Sequence, residues 1–347
     1  MSNFVPLVQA MTTNNPAPWA DLREGRSFNR LPVTTMLNGA QLTLPLHVVT
    51  GRGAGPTLGI VTNVHGDEFL PTTAIRALIN ELDIAMLKGR LAIISVANPL
   101  ATANFGRQTP EQHGRTDLHE VFPGNARGNT TQMIAAVITA NVLDHVDAYI
   151  DFHSGGSGGR LQARVDYNAT ASDDVKKKSL AMARAFGMPF VHENDLTGTA
   201  AHYVNMRHNI PAVNPEMGGS YLGPENTALY TKQAIAGLRG IMAHLGMLDG
   251  DAKPPRQLDF NQKARHDIRP AHSGYLVSNY EHPADLGKLI KRGERLGEVV
   301  DIYSYDVVEE MLAPVDGYLF FSRYSGVVGA GTQAFALAAA AASRWLD

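Results

Sequence analysis

The chain has 347 residues, 44% of them hydrophobic and 18% charged, with a formal net charge of -3 and no cysteine. That balance describes a globular protein with room for one large domain and a small one. It excludes a basic field for nucleic acid or anionic membrane, and it excludes disulfides, thiolate metal sites and cysteine nucleophiles, so any metal must be held by His, Asp or Glu.

The opening stretch MSNFVPLVQAMTTNN has no charged region followed by an apolar one, and no apolar run approaches 20 residues. A cytoplasmic chain with no membrane partner is expected. Residues 1–30 carry Pro and Asn with little periodicity and read as an arm, while Asn38-Gly39 between short alternating segments marks a hairpin over 31–50. From Pro56 the pattern runs strand (TLGIVTNV), helix (about Phe69 to Leu87, with Ile75, Leu78, Ile79, Leu82 and Met86 at helical spacing), strand (RLAIISVAN). This βαβ signature predicts a mostly parallel or mixed sheet flanked by helices. Residues 98–128 show no clear element but many Arg, His and Gly residues, as expected of a functional loop leaving a strand's C-terminal end.

A helix is predicted at about Thr130 to Leu143, then the strand VDAYIDF running into His153. The Ser154-Gly155-Gly156-Ser157-Gly158-Gly159 stretch reads either as a mobile loop or as a close backbone approach to a ligand. Helices near Asp173–Phe186 and Ala200–His208 alternate with strands at Pro189–His192 and Pro211–Asn214, and a last helix spans about Pro224 to Leu245. The Lys176-Lys177-Lys178 run is a solvated helix face. Polar, proline-paired residues 249–266 mark a boundary, beyond which come the short runs SGYLVSNY, RLGEVVDIY, APVDGYLFF and VVGAGTQAFALA. The expected organisation is an arm and hairpin (1–44), an α/β domain (45–250), and a linker with a small all-β domain (251–347).

The chemistry concentrates at predicted strand ends. His65 and Glu68 lie three residues apart across a turn that Gly66 permits, so an imidazole and a carboxylate can meet at one point. His153 ends a second strand, and in an open α/β sheet the C-terminal strand ends gather along one edge. Two histidines and a glutamate that leave a fourth position to water form the catalytic version of a zinc site. Asp151, on the same side of its strand as His153, could orient a ligand imidazole; Asp67 competes for that role. Glu216, before Met217-Gly218-Gly219, reads either as a general base and acid or as a surface carboxylate before a Gly-Gly turn.

The order His65-Gly66-Asp67-Glu68, Asp151-Phe152-His153, Pro215-Glu216-Met217-Gly218-Gly219 resembles the succinylglutamate desuccinylase/aspartoacylase family of zinc-dependent deacylases, relatives of the zinc carboxypeptidases, over roughly residues 45–340. The resemblance implies a mixed-sheet, zinc-carboxypeptidase-like α/β domain with a small C-terminal barrel-sandwich-like β domain. It implies one zinc per chain held by His65, Glu68 and His153, with Glu216 as general base. Arg107 resembles the family arginine that polarises the scissile carbonyl. Asp117-Leu118-His119-Glu120-Val121-Phe122 occupies the place of a family motif that reads Asp-x-Asn-Arg-x-Phe, whose Asn-Arg holds the substrate's carboxylate. His119, Glu120 and neighbouring Arg115 are therefore the substrate-binding candidates. The exchange of a cation for an anion implies a substrate with no carboxylate at that point, carrying an amine or another donor there. The alternatives are that Glu120 turns away to pair with Arg115, or that His119 is an extra metal ligand. Set against this, His113, His119, His192, His202 and His208 read as surface or core residues with no ligand role, and Arg115 and Arg164 as making ion pairs.

The implied function is hydrolysis of the amide of a small N-acylated amine or amino acid. A zinc carboxypeptidase acting on peptides and a non-catalytic binding protein of the same fold are the alternatives, and a homo-oligomer is left open. The region from about 268 resembles a biotinyl/lipoyl-type β fold, but Val307-Val308-Glu309-Glu310-Met311-Leu312 has no lysine for attachment. No covalent cofactor is expected, and the module's role should be to shape the pocket entrance or the oligomer.

Overall fold

The computed structural model describes residues 17, 19–111, 113–250 and 253–347, so most of the sequence read as an arm lies outside the described residues. The Asn38-Gly39 hairpin joins β1 (Gly25–Thr35) to β2 (Gln41–Thr50), with Gly39 at φ +81°. β1 starts inside the stretch expected to be an arm. Its mixed composition hides the strand, which is specified by antiparallel pairing with β2 from Gly25↔Thr50 onward.

The βαβ unit is β3 (Gly53–Thr62), α1 (Leu70–Glu81) and β4 (Lys88–Ile94), with β3 and β4 parallel. Helix α1 ends earlier than its periodicity suggests. Leu82 turns to an extended conformation, and the Asp83 side chain accepts from the Ala85 N–H to start a separate 3-10 turn at Ile84–Met86. The long segment expected to lack structure contains α2 (Pro99–Ala103) and a 3-10 turn at Leu118–Glu120. Then follow α3 (Thr130–Asn141), β5 (Ala148–Ser154), β6 (Gly159–Asn168), α4 (Asp173–Phe186), β7 (Phe190–Asn194), α5 (Ala200–His208), β8 (Ala212–Gly218) and α6 (Gly223–His244).

Nine short strands and one two-residue strand complete the chain: β9 (Gln257–Asn261), β10 (Arg265–Ile268), β11 (Gly274–Ser278), β12 (Leu289–Ile290), β13 (Arg295–Val300), β14 (Val307–Leu312), β15 (Gly317–Arg323), β16 (Gly326–Val328), β17 (Phe335–Ala339) and β18 (Arg344–Leu346). The main sheet runs β1-β2-β4-β3-β5-β8-β6-β15-β17-β10, and β14-β13-β11-β16 form a second, all-β sheet. The fold is thus a mixed α/β sheet flanked by helices, with an all-β sheet in the C-terminal region, as expected. The C-terminal strands also extend the main sheet, because β15 pairs antiparallel with β6 through Phe321↔Leu161.

Strands β4, β3, β5 and β8 are mutually parallel, so the ends of β3, β5 and β8 open on one edge. Their residues are buried on both faces, which is why the sequences are near-continuously apolar. Leu58, Ile60, Ile150 and Phe152 pack with Ile75, Leu78, Phe186, Leu238 and Ile241 of α1, α4 and α6. Val61 and Tyr149 face the other way, onto Ile134 and Ile138 of α3 and Val204 of α5. Among the described residues, no helix is long and apolar enough to cross a membrane.

The turn after β3 rests on two residues. Asn63 takes the left-handed conformation, φ +57°, and its side-chain N–H groups donate to the carbonyls of His65 and Glu68. Gly66 is required for space: a Cβ there would fall on the Ala101–Thr102 backbone. Gly66→Ala is expected to destabilise the fold by about 1–3 kcal/mol, the usual range for overpacking, measured by denaturant unfolding. An unchanged midpoint would show that α2 yields freely.

Candidate active site

The ends of β3 and β5 bring His65, Glu68 and His153 together, each less than 5% exposed. Glu68 lies between the two imidazoles: Oε1 is 2.7 Å from His65 Nδ1, and Oε2 is 3.0 Å from His153 Nδ1. Oε2 also accepts from the Ser154 N–H at 3.0 Å. One donor atom from each residue falls within a 4.8 Å cluster. Burial alone would raise the Glu68 carboxyl and lower the His153 imidazole, but their proximity reverses both. The histidines hold Glu68 well below the usual carboxylate range, while Asp151 and Glu68 hold His153 well above the usual imidazole range. A cluster that stabilises positive charge this strongly, with two imidazoles and a carboxylate as donors, fits a divalent zinc-type cation.

The outward nitrogen of each imidazole meets its own aspartate. His65 Nε2 is 3.1 Å from Asp117 Oδ1, and His153 Nε2 is 3.1 Å from Asp151 Oδ1. Such carboxylates fix ring orientation and raise ligand basicity. Asp67 contacts neither ring and instead binds the loop after β5. Its Oδ2 accepts from both the N–H and the hydroxyl of Ser157, each at 2.7 Å. The glycine-rich loop is therefore tied down against the site. Gly156 has φ +59°, and a Cβ there would meet the Asp67 carboxylate.

Glu216 on β8 stands opposite His153 in the β5–β8 register. Burial pushes its carboxyl up to about 7, against the opposing pull of Arg164. Arg107 donates from Nε to Asp117 Oδ2 at 3.0 Å, and its Nη1 comes within 3.9 Å of Glu68 Oε1. His119 packs edge-on against His153, with Nδ1 3.5 Å from Asp151 Oδ2. His119, Asp151 and His153 form a second group compact enough for a metal, on the Nε2 side of His153 away from Glu68.

A cavity of about 270 Å³ joins Glu68, Arg107, His119 and Glu216. Two of the substrate-binding candidates stand outside it. Arg115 and Glu120 are exposed, and Arg115 Nη1 donates to the Glu120 backbone carbonyl, not to its carboxylate. The 3-10 turn that points His119 inward leaves the next side chain outward. Sequence reasoning passed over Asp117 as a partner for His65, and Arg164, Asp166 and Arg265 as cavity residues. Arg164 does make an expected ion pair, with Asp166 at 2.8 Å, yet it also lines the cavity. The available signal was the alternation in β6, where charged Arg164 and Asp166 interrupt Ala163 and Val165. The C-terminal strands contribute Arg265, Phe320 and Phe321 to the same wall.

A mixed sheet gathers two imidazoles, a buried carboxylate and a further glutamate at its strand ends, and this is a candidate metal centre. Residues 54–244 match the model of the succinylglutamate desuccinylase/aspartoacylase catalytic domain, and the chain belongs to that family. It is 27% identical over 319 residues, 88% of each chain, to the N-alpha-acetyl-L-2,4-diaminobutyric acid deacetylase of Halomonas elongata. Among solved structures, the product-bound ectoine utilization protein EutE (DoeB) from Ruegeria pomeroyi aligns with a TM-score of 0.80 at 23% identity, covering 91% of this chain and 96% of that one. A succinylglutamate desuccinylase/aspartoacylase from Rhodobacter sphaeroides aligns with a TM-score of 0.77 at 24% identity over the same shares.

Proposed function

We propose that the chain is a zinc-dependent amidohydrolase that removes the acyl group from a small N-acylated amine or amino acid. The observation that carries this reading is Glu216, partly buried and opposite His153, beside the His65–Glu68–His153 donor set. Family membership and the deacetylase relative support amide hydrolysis. That relative's name makes N-acetyl-2,4-diaminobutyrate the first compound to try.

His65, Glu68 and His153 would hold one zinc ion. When bound, that ion lowers the pKa of water toward neutrality and polarises a carbonyl. Asp117 and Asp151 keep the two imidazoles turned for that purpose. Glu216 takes a proton from the attacking water and delivers it to the leaving nitrogen, a role that suits a carboxyl raised to about 7. Arg107, held by Asp117, would donate to the developing oxyanion. His119 contacts the substrate in the cavity, whereas the exposed Glu120 and Arg115 act at most at its margin.

The test is amine release by zinc-loaded protein from N-acetyl-2,4-diaminobutyrate, from its carboxamide, and from N-acetyl monoamines. Hydrolysis of at least one is expected. A fully metal-loaded protein that releases amine from none of them, nor from other N-acyl groups, would favour the non-catalytic alternative.

A further inference from the structure

The glycine-rich stretch after β5 takes no part in the proposed chemistry, yet a second cavity of about 320 Å³ lies along it. Gly155–Gly158, Asp67, Glu68, Arg107 and Arg323 line that cavity. It shares Glu68 and Arg107 with the cavity that Glu216 and His119 line, but neither Glu216 nor His119 belongs to it. The site thus has two lobes that meet at Glu68 and Arg107. On the proposed reading, the leaving nitrogen that Glu216 serves lies in the first lobe, so the acyl group leads into the second. Glycine at 155, 156 and 158 keeps that wall almost free of side chains.

Three exposed aromatic rings stand at the rim of the second lobe. Phe69 follows Glu68, and Phe105 precedes Arg107 by two residues. Tyr221 follows Ser220, whose N–H donates to the Gly156 carbonyl at 2.8 Å and whose hydroxyl donates to the Asp67 carbonyl. The rings are 37%, 42% and 63% exposed. Phe69 and Phe105 stack with centroids 5.4 Å apart, and Tyr221 continues the row at 6.3 Å from Phe105 and 5.9 Å from Tyr324. Tyr324 follows the lining residue Arg323, and its N–H donates to the Gly158 carbonyl. Every ring in the row is therefore carried on the backbone that walls the lobe.

Backbone strain marks Phe105. It follows α2 in the left-handed conformation, φ +48°, with its N–H on the Thr102 carbonyl and the Gly106 N–H on the Ala101 carbonyl. Glycine or asparagine usually fills that position, and strain of this kind in a bulky residue concentrates at functional sites. Here it sets a phenyl ring in solvent against Phe69, where apolar surface gains free energy only when something apolar covers it.

We propose that Phe69, Phe105 and Tyr221 form an acyl-recognition surface, which covers an apolar acyl chain of medium length as it leaves the second lobe. The substrate class is then an N-acyl amine whose acyl group is larger than acetyl. This inference rests on the amidohydrolase reading for the direction of the acyl group, but not for the binding of an apolar chain.

The experiment compares zinc-loaded full-length protein on N-acetyl-, N-butanoyl- and N-octanoyl-2,4-diaminobutyrate, with acetate and octanoate as calorimetric probes of the acid product. From acetyl to octanoyl, kcat/KM should rise by roughly 10- to 100-fold, and octanoate should bind more tightly than acetate by a similar factor, because each half-buried methylene is worth about twofold. Phe105→Gly should cut the octanoyl-to-acetyl ratio by about 5- to 20-fold, mainly through KM. Glycine accepts that backbone conformation, so the variant should fold. Tyr221→Ala should act in the same direction by less, and it tests the surface independently. Phe28→Ala removes an exposed ring on β1 and should leave the ratio unchanged. An unaltered protein with no gain from acetyl to octanoyl overturns the proposal, as does a ratio that stays constant in both rim variants. A change of oligomeric state in those variants with no change of ratio also overturns it, and makes the row a contact between copies. If the unaltered protein hydrolyses no N-acyl compound, the amidohydrolase reading fails, and octanoate binding against acetate binding, with and without Phe105→Gly, still decides for or against the apolar surface.

Discussion

Glu216→Gln is expected to keep its full complement of metal and to lose turnover by roughly 10²- to 10⁴-fold, the usual worth of a general acid–base group. Gln has the same shape and can accept a hydrogen bond, but it cannot take a proton from water or deliver one to a leaving amine. The metal should stay because Glu216 lies outside the His65–Glu68–His153 donor set. Stability should change little, because Arg164 makes its short contact with Asp166 at 2.8 Å and reaches Glu216 only at 3.8 Å. Steady-state rates together with metal analysis check this. A metal-loaded variant with a near-normal rate would make Glu216 a structural residue.

The second large effect concerns the donors themselves. His65→Ala, Glu68→Ala and His153→Ala should each abolish tight zinc binding and take activity below detection, because a tetrahedral site with water in one position cannot spare one of three protein ligands. Glu68→Ala should be the most damaging, since that carboxylate contacts His65, His153 and the Ser154 N–H together. Losing it leaves two buried imidazoles and a backbone donor with no shared acceptor. Asp117→Asn and Asp151→Asn should weaken affinity or activity by about 10- to 100-fold, as partners of ligands do. Full zinc occupancy in any of the three alanine variants would remove that residue from the ligand set.

The features that sequence made readable were local ones. The apolar strand before Asn63, the helical spacing after Phe69, and the histidines at two strand ends each declare themselves within a few residues. They sufficed for the mixed α/β fold and for the residues that meet at β3 and β5. What escaped depends on long-range partners. Asp117 lies 52 residues from His65, and nothing near it in the chain marks it as that histidine's partner. Arg164 and Asp166 sit in a strand buried on both faces, where apolar neighbours conceal which face carries function. The pairing of β15 with β6 turns a region read as a separate module into part of the cavity wall, and strand partners are set by tertiary packing that no local pattern displays. Glu120 was readable as an anomaly, but its outward direction depends on the 3-10 turn that Asp117 caps.

Zinc dependence is decided by removing the metal from purified protein and returning it, then following release of free amine and carboxylate from an N-acyl substrate. The expected result is about one zinc per chain, equal release of the two products, loss of activity on chelation and recovery on adding zinc back. Hydrolysis that persists unchanged in protein stripped of metal would contradict a zinc-dependent amidohydrolase.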